Sequence, residues 1–191
     1  FGLANQASSS AASGLLAASE APAQLRAASL ASPPSAEAGD PTCHTAVHTG
    51  YSGDRAVVWG LGKPGFHLSD AAACCKACQA HATTCSQKGT HAKSWWPSRP
   101  EMTCGGNPPC NIWTFCPVDR CFAFDIHKHT LGECWLKHQA VNHTQAKDPH
   151  EGNKVYPEKM RFAPRKIWPW AVAEDIWPGP MPEDVPWTSG V

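Results

Sequence analysis

Cys110-Asn111-Ile112-Trp113-Thr114-Phe115-Cys116, answered downstream by Cys134-Trp135-Leu136-Lys137, is the stretch whose reading decides the fold. Asn111 to Phe115 is rich in β-formers and reads as a strand. Cys121-Phe122-Ala123-Phe124-Asp125-Ile126 gives a second strand candidate, His127 to Gly132 a polar turn, and Glu133 to Lys137 a third strand. Upstream, Ser69-Asp70 supplies N-cap chemistry for a helix over 71–81. Cys74 and Cys78 are four residues apart and share one face of that helix, while Cys75 points elsewhere. Two thiols on one face suit two disulfides into an underlying sheet, so the helix is expected to be stapled as well as packed.

The cysteine pattern also sets the compartment. All ten cysteines of the 191-residue chain fall between Cys43 and Cys134. An even number at this density in a small domain is the signature of a disulfide framework formed in an oxidising compartment, secreted or lumenal. Asn142-His143-Thr144 is an N-glycosylation acceptor triplet, in keeping with a secretory route. The 16 basic and 16 acidic residues cancel, leaving no electrostatic footprint for nucleic acid. Ten histidines add positive charge only below about pH 6.5. No apolar run approaches the ~20 residues of a membrane span. The chain opens on Phe1 without a charged-then-apolar leader, which reads as a processed product or a segment of a longer protein.

Outward from the cysteine region, residues 1–42 are Ala/Ser/Pro-rich, with Leu15, Leu16, Leu25 and Leu30 as the sizeable apolar anchors. So little apolar surface does not offset the entropy of ordering forty residues, and a flexible stalk or linker is expected. Ala56 to Trp59 reads as a short strand bounded by Gly53 and Gly60. The cluster from Gly60 to Gly65 lacks the Gly-Lys-Ser/Thr ending of a phosphate loop and is read as turn punctuation. Residues 83–109 read as an insertion carrying Trp95-Trp96-Pro97, with Cys85 and Cys104 closing it internally. Past Gln139 the apolar periodicity stops. The segment from Tyr156 to Val191 holds seven prolines and four tryptophans, so it is expected to be extended, outside any sheet interior, and in contact with something beyond this chain.

These pieces resemble the PAN/Apple superfamily in its cysteine-rich green-algal and plant form. The matching motifs are Ala73-Cys74-Cys75-Lys76-Ala77-Cys78, Cys110-Asn111-Ile112-Trp113-Thr114-Phe115-Cys116 and Gly132-Glu133-Cys134-Trp135-Leu136-Lys137. The resemblance covers residues 43–138 and departs from the family in the length of the insertion. It implies a small disulfide-rich α+β domain, one short helix stapled across an antiparallel sheet, here with long irregular N- and C-terminal extensions at 1–42 and 139–191. It also implies pairing of Cys78 with Cys110 and of Cys74 with Cys134. The remaining six would pair most locally as Cys85–Cys104, Cys116–Cys121 and Cys43–Cys75. Each bridge is worth roughly 2–4 kcal/mol through restriction of the unfolded chain.

Candidate chemistry is sparse. Cys75-x-x-Cys78 lacks the strand–helix setting of a redox pair. Cys78, Cys85, Cys104 and Cys110, with His81 or His91, lack the paired spacing of a zinc site, so no metal and no cofactor are expected. Asp125, His127 and His129 would share one face if they lay on a strand, which admits acid–base or metal chemistry; solvent-facing turn histidines are the plainer reading. No Gly-x-Ser-x-Gly elbow, His-Glu-x-x-His motif or paired-carboxylate constellation occurs, so the segment is not expected to be an enzyme. Trp95 and Trp96 on the insertion, with Trp113 and Lys137, are the candidate ligand-binding residues; the competing role for the tryptophans is to cover the disulfide core.

The function implied by the resemblance is a non-catalytic extracellular recognition module for carbohydrate or protein, at a cell wall, matrix or cell surface. Two alternatives differ in class. One is a non-catalytic appendage of a larger secretory-pathway enzyme such as a glycosyltransferase, with the Trp/Pro tail packed on its partner domain. The other is a structural subunit of an extracellular assembly.

Overall fold

The main helix begins where its cap predicts. Asp70, in extended backbone, accepts the Ala73 amide at 2.7 Å and satisfies one of the orphan donors of the first turn. That backbone bond, with help from the Ser69 hydroxyl, holds the Asp70 carboxyl below its usual pKa. The helix, α1, runs Ala71–Cys85, past the expected end at His81. Its buried residues Cys74, Cys75, Ala77, Cys78 and His81 recur at one-turn spacing and form its inner face. The computed structural model describes residues 41–62, 65–87, 93–141, 143–147, 150–152, 154–169 and 172–191. The expected stalk at 1–42 therefore lies outside the described residues except at its end.

Among the described residues there are seven strands, in chain order β1 Ala46–Val47, β2 Arg55–Val58, β3 Ile112–Phe115, β4 Arg120–Cys121, β5 His129–Thr130, β6 Cys134–His138 and β7 Thr188–Gly190, the first two preceding α1. Five of them form one sheet in the order β1-β7-β3-β6-β2, every neighbour antiparallel. β4 and β5 pair separately as a two-stranded ribbon. β3 is central and buried along its whole length, as its Ile-Trp-Thr-Phe sequence requires.

α1 lies across one face of this sheet and is fixed to it by disulfides. Cys74 bridges to Cys134 at the start of β6, and Cys78 bridges to Cys110 just before β3. Cys75 joins Cys43, Cys85 joins Cys104, and Cys116 joins Cys121. The protein is thus a small disulfide-rich α+β domain with its helix stapled across an antiparallel sheet. The five pairs coincide with those expected, and none joins Cys75 to Cys78.

Two apolar clusters share the interior. The first sits between α1 and the sheet and includes Val58, Phe66, Trp95, Trp113, Phe115 and Leu136. The second gathers the Cys116–Cys121 loop, Phe122 and Phe124 with Tyr156, Trp168, Val185 and Trp187 from the C-terminal extension. Phe122 is met edge-on by Phe124, Tyr156, Trp168 and Trp177 at centroid distances of 5.1–5.5 Å.

This arrangement corrects three expectations. The extension is irregular over most of its length, yet its last residues enter the sheet as β7, between β1 and β3. Pro186 is its last proline, so the amides of Thr188 to Gly190 are free to pair. Gly190 is required there, because a Cβ would fall 2.5 Å from the Trp113 ring and closer still to the Cys43 carbonyl. The tail tryptophans Trp168 and Trp187 are buried by this chain itself. The second strand candidate, 121–126, is a strand only at Arg120–Cys121; residues 122–128 turn, so Asp125, His127 and His129 do not line a single strand.

Candidate functional site

Strand alternation decides which side chains meet. On β6, Cys134 and Leu136 point toward α1, so Trp135 and Lys137 point to the opposite face. Register places Thr114 opposite Trp135 and Ile112 opposite Lys137, while Trp113 and Phe115 face the helix. The helix-free face at Thr114, Trp135 and Lys137 forms the floor of a cavity of about 190 Å³. Tyr51, Ser52 and Gly53, just before β2, give one wall. Asp125 and His129 give another, and Lys147, Glu151 and Trp187 close it from the segments between β6 and β7.

Lys137 is tied into the floor. Its Nζ donates to the Tyr51 carbonyl at 2.5 Å and to Thr114 Oγ1 at 3.1 Å. Thr114 Oγ1 in turn lies 3.2 Å from the Tyr51 carbonyl and 3.0 Å from Ser189 Oγ. Burial pushes the Lys137 ammonium down to about 7, with the charge of Lys147 adding to the effect and Glu151 and Asp125 opposing it.

A second polar group borders the same cavity. His129, buried in the wall, has Nδ1 2.7 Å from Glu133 Oε2 and Nε2 3.0 Å from Asp125 Oδ2. Each ring nitrogen faces an acceptor, so the ring carries both protons. Burial works against that charge, but the hydrogen bonds and charges of Asp125 and Glu133 outweigh it and raise the His129 pKa. Burial likewise opposes ionisation of Asp125 and Glu133. The bond to His129 leads the effects that hold both carboxyls below their usual range, joined at Asp125 by the Lys147 charge. Lys147 Nζ sits 2.7 Å from Asp125 Oδ2. Glu133 also accepts the Thr130 amide at 2.9 Å and the Trp135 indole N–H at 3.3 Å. A turn brings Asp125 and His129 together without a shared strand face; His127 is exposed, as the plainer reading has it, whereas His129 is buried.

Of the four candidate ligand-binding residues, Lys137 alone lines this cavity. Trp95 is 3% exposed and packs with Trp96 and Phe66 over α1, and Trp113 lies under the same helix. His81, buried beside Trp95, accepts the Cys110 amide at Nδ1, and burial pushes its pKa down to about 4, which keeps it neutral. The four cysteines of the zinc alternative are joined as Cys78–Cys110 and Cys85–Cys104. Among the described residues no group of three or more His, Cys, Asp or Glu is placed to hold a metal ion. Asn142 and His91 lie outside the described residues.

Sequence reasoning missed Tyr51, Lys147, Glu151 and Trp187, which reach the cavity from segments that carry no motif. A signal did exist for Trp135 and Lys137: their two-residue spacing on a strand whose other face holds a disulfide. No protein-family model, curated protein or solved structure matches the chain.

Proposed function

We propose that this protein is a non-catalytic, extracellular PAN/Apple-like recognition module that binds carbohydrate in the helix-free cavity. The cavity itself carries the reading. Trp135, Trp187 and Tyr51 supply ring surface of the kind sugars stack on, and Asp125, Lys137, Lys147 and Ser52 supply donors and acceptors for hydroxyl groups. Its about 190 Å³ is below the roughly 300–1,000 Å³ of drug-sized pockets, which suits a single sugar ring. The charges around it nearly balance, which favours a neutral polyhydroxylated ligand over a highly charged one. Five disulfides, with no described helix long and apolar enough to cross a membrane, are compatible with an extracellular or secretory location.

A broad glycan panel tests this. Binding that is lost on Lys147→Ala and kept on Trp96→Ala is the expected result. The reverse pattern would move the site to the aromatic insertion. Silence across the panel would overturn carbohydrate recognition in favour of a protein ligand.

A second reading, an appendage of a larger secretory-pathway protein, draws on Phe162 and Ile167. They are 73% and 62% exposed on the C-terminal extension and offer an apolar contact to a neighbouring domain.

A further inference from the structure

We propose that Lys137 is a carbonyl-capturing amine, whose Nζ in the cavity floor condenses with the aldehyde or ketone group of a small ligand to form a reversible Schiff base. The site is the cavity proposed above for sugar binding; capture rests on the reactivity of one amine and not on glycan affinity, so adduct mapping and the glycan panel fail separately.

The geometry supplies what such an amine needs. A lysine nitrogen has three positions besides its carbon, all donors in the ammonium form. Two are taken by the Tyr51 carbonyl and Thr114 Oγ1, both fixed to the sheet. The third, a proton in the ammonium and a lone pair in the amine, is left for the cavity that Lys137 lines. The charged groups around it are Lys147, Glu151, Asp125 and His129. Lys147 is the other lysine of the cavity, and its Nζ is engaged by Asp125 at 2.7 Å. With burial lowering the Lys137 pKa to about 7, a large share of it is free amine at neutral pH.

The condensation needs no oxidant or reductant. The Nζ lone pair adds to the carbonyl carbon, a C–N bond forms, and the π pair moves to oxygen. A proton passes from nitrogen to that oxygen to give a carbinolamine. Loss of the hydroxyl as water, with a proton relayed through the Asp125–His129 pair on the same cavity, leaves the imine. Water returning to the imine carbon releases the ligand unchanged. The cavity volume restricts the ligand to a short hydroxyaldehyde or hydroxyketone, or the open form of one sugar.

The test uses the full chain, with glycolaldehyde and sodium cyanoborohydride at neutral pH, followed by digestion and mass mapping of adducts. At pH 7 an ordinary lysine is free amine in roughly one molecule in 2,500, and one titrating near 7 in about half. Among the lysines, Lys137 is expected to carry the first adduct, at least about tenfold faster than Lys147, the margin allowing for slower access to a half-buried side chain. Labelling spread over other lysines while Lys137 stays unmodified overturns the proposal. Repeating the reaction in urea with reductant is expected to abolish the preference; a preference that survives unfolding overturns the cavity as its cause.

Discussion

His129 Nδ1 lies 2.7 Å from Glu133 Oε2, one turn of chain away, and both side chains are almost wholly buried. With Asp125 on the other ring nitrogen, an imidazolium is held between two carboxylates beneath the cavity. Such a group is costly to leave half-made, because removing one partner strands a buried charge.

Glu133→Gln is therefore expected to destabilise the domain by about 3–5 kcal/mol and to lower the His129 pKa. Chemical denaturation measures the first and NMR titration of the imidazole the second. An unchanged His129 titration would mean that Asp125 alone sets it.

The same cluster gives stability a window in pH. Asp125 and Glu133 are depressed in the fold, so their contribution is complete above about pH 4 and is lost as pH falls through their folded values. His129 is raised, so its contribution is complete below about pH 6.5 and is lost as pH rises through its folded value. Lys137, depressed to about 7, pushes the alkaline side the other way. Calorimetry of Lys137→Met against the parent is expected to show a steeper alkaline fall in Tm once that opposing effect is gone.

His81 makes a separate acid prediction. Its folded value of about 4 lies under the ordinary one, so the neutral ring stabilises above about pH 6.5 and that contribution is lost as pH falls through 4. Its loss amounts to about 3 kcal/mol at most. His81→Gln can still accept the Cys110 amide, and is expected to flatten this part of the pH–stability curve while costing less than His81→Ala. A parallel curve in both variants would assign the acid transition elsewhere.

The five bridges are not equivalent. Cys74–Cys134 spans 60 residues and Cys116–Cys121 only 5, so loop entropy alone assigns them about 4 and about 2 kcal/mol. Paired Cys→Ala variants followed by urea denaturation check the order. Equal losses would show that the short bridge acts by fixing the turn under Phe122.

Gly190→Ala is expected to cost about 1–3 kcal/mol, since the new methyl overlaps the Trp113 ring and must displace β7 from its place between β1 and β3. A shift of the denaturation midpoint with a change in tryptophan fluorescence is the readout. Unaltered stability would mean β7 moves without penalty.

Much of the frame was legible in the sequence because it is local. Asp70 caps the helix, Cys74 and Cys78 share its inner face, and Asn111 to Phe115 contains β3, all from spacing and composition. β7 was hidden because Thr188-Ser189-Gly190 has little strand propensity; pairing with β1 and β3 determines it, not its own residues. The cavity was half-legible. Lys137 sits in a motif, whereas Lys147 and Glu151 are ordinary charges in a polar run until tertiary structure seats them. Asp125 and His129 lie at a turn, as the plainer reading of the sequence has it, but tertiary packing buries His129 where that reading leaves it facing solvent.

Because β7 places Gly190 against the Cys43 carbonyl, the stretch just before β1 lies beside that strand, with Thr42 and Val191 bordering one shallow cleft. The Cys43–Cys75 bridge runs from that stretch to α1, so it tethers to the helix the backbone against which β7 rests. The strand that completes the sheet thus leans on a disulfide to which it contributes no cysteine.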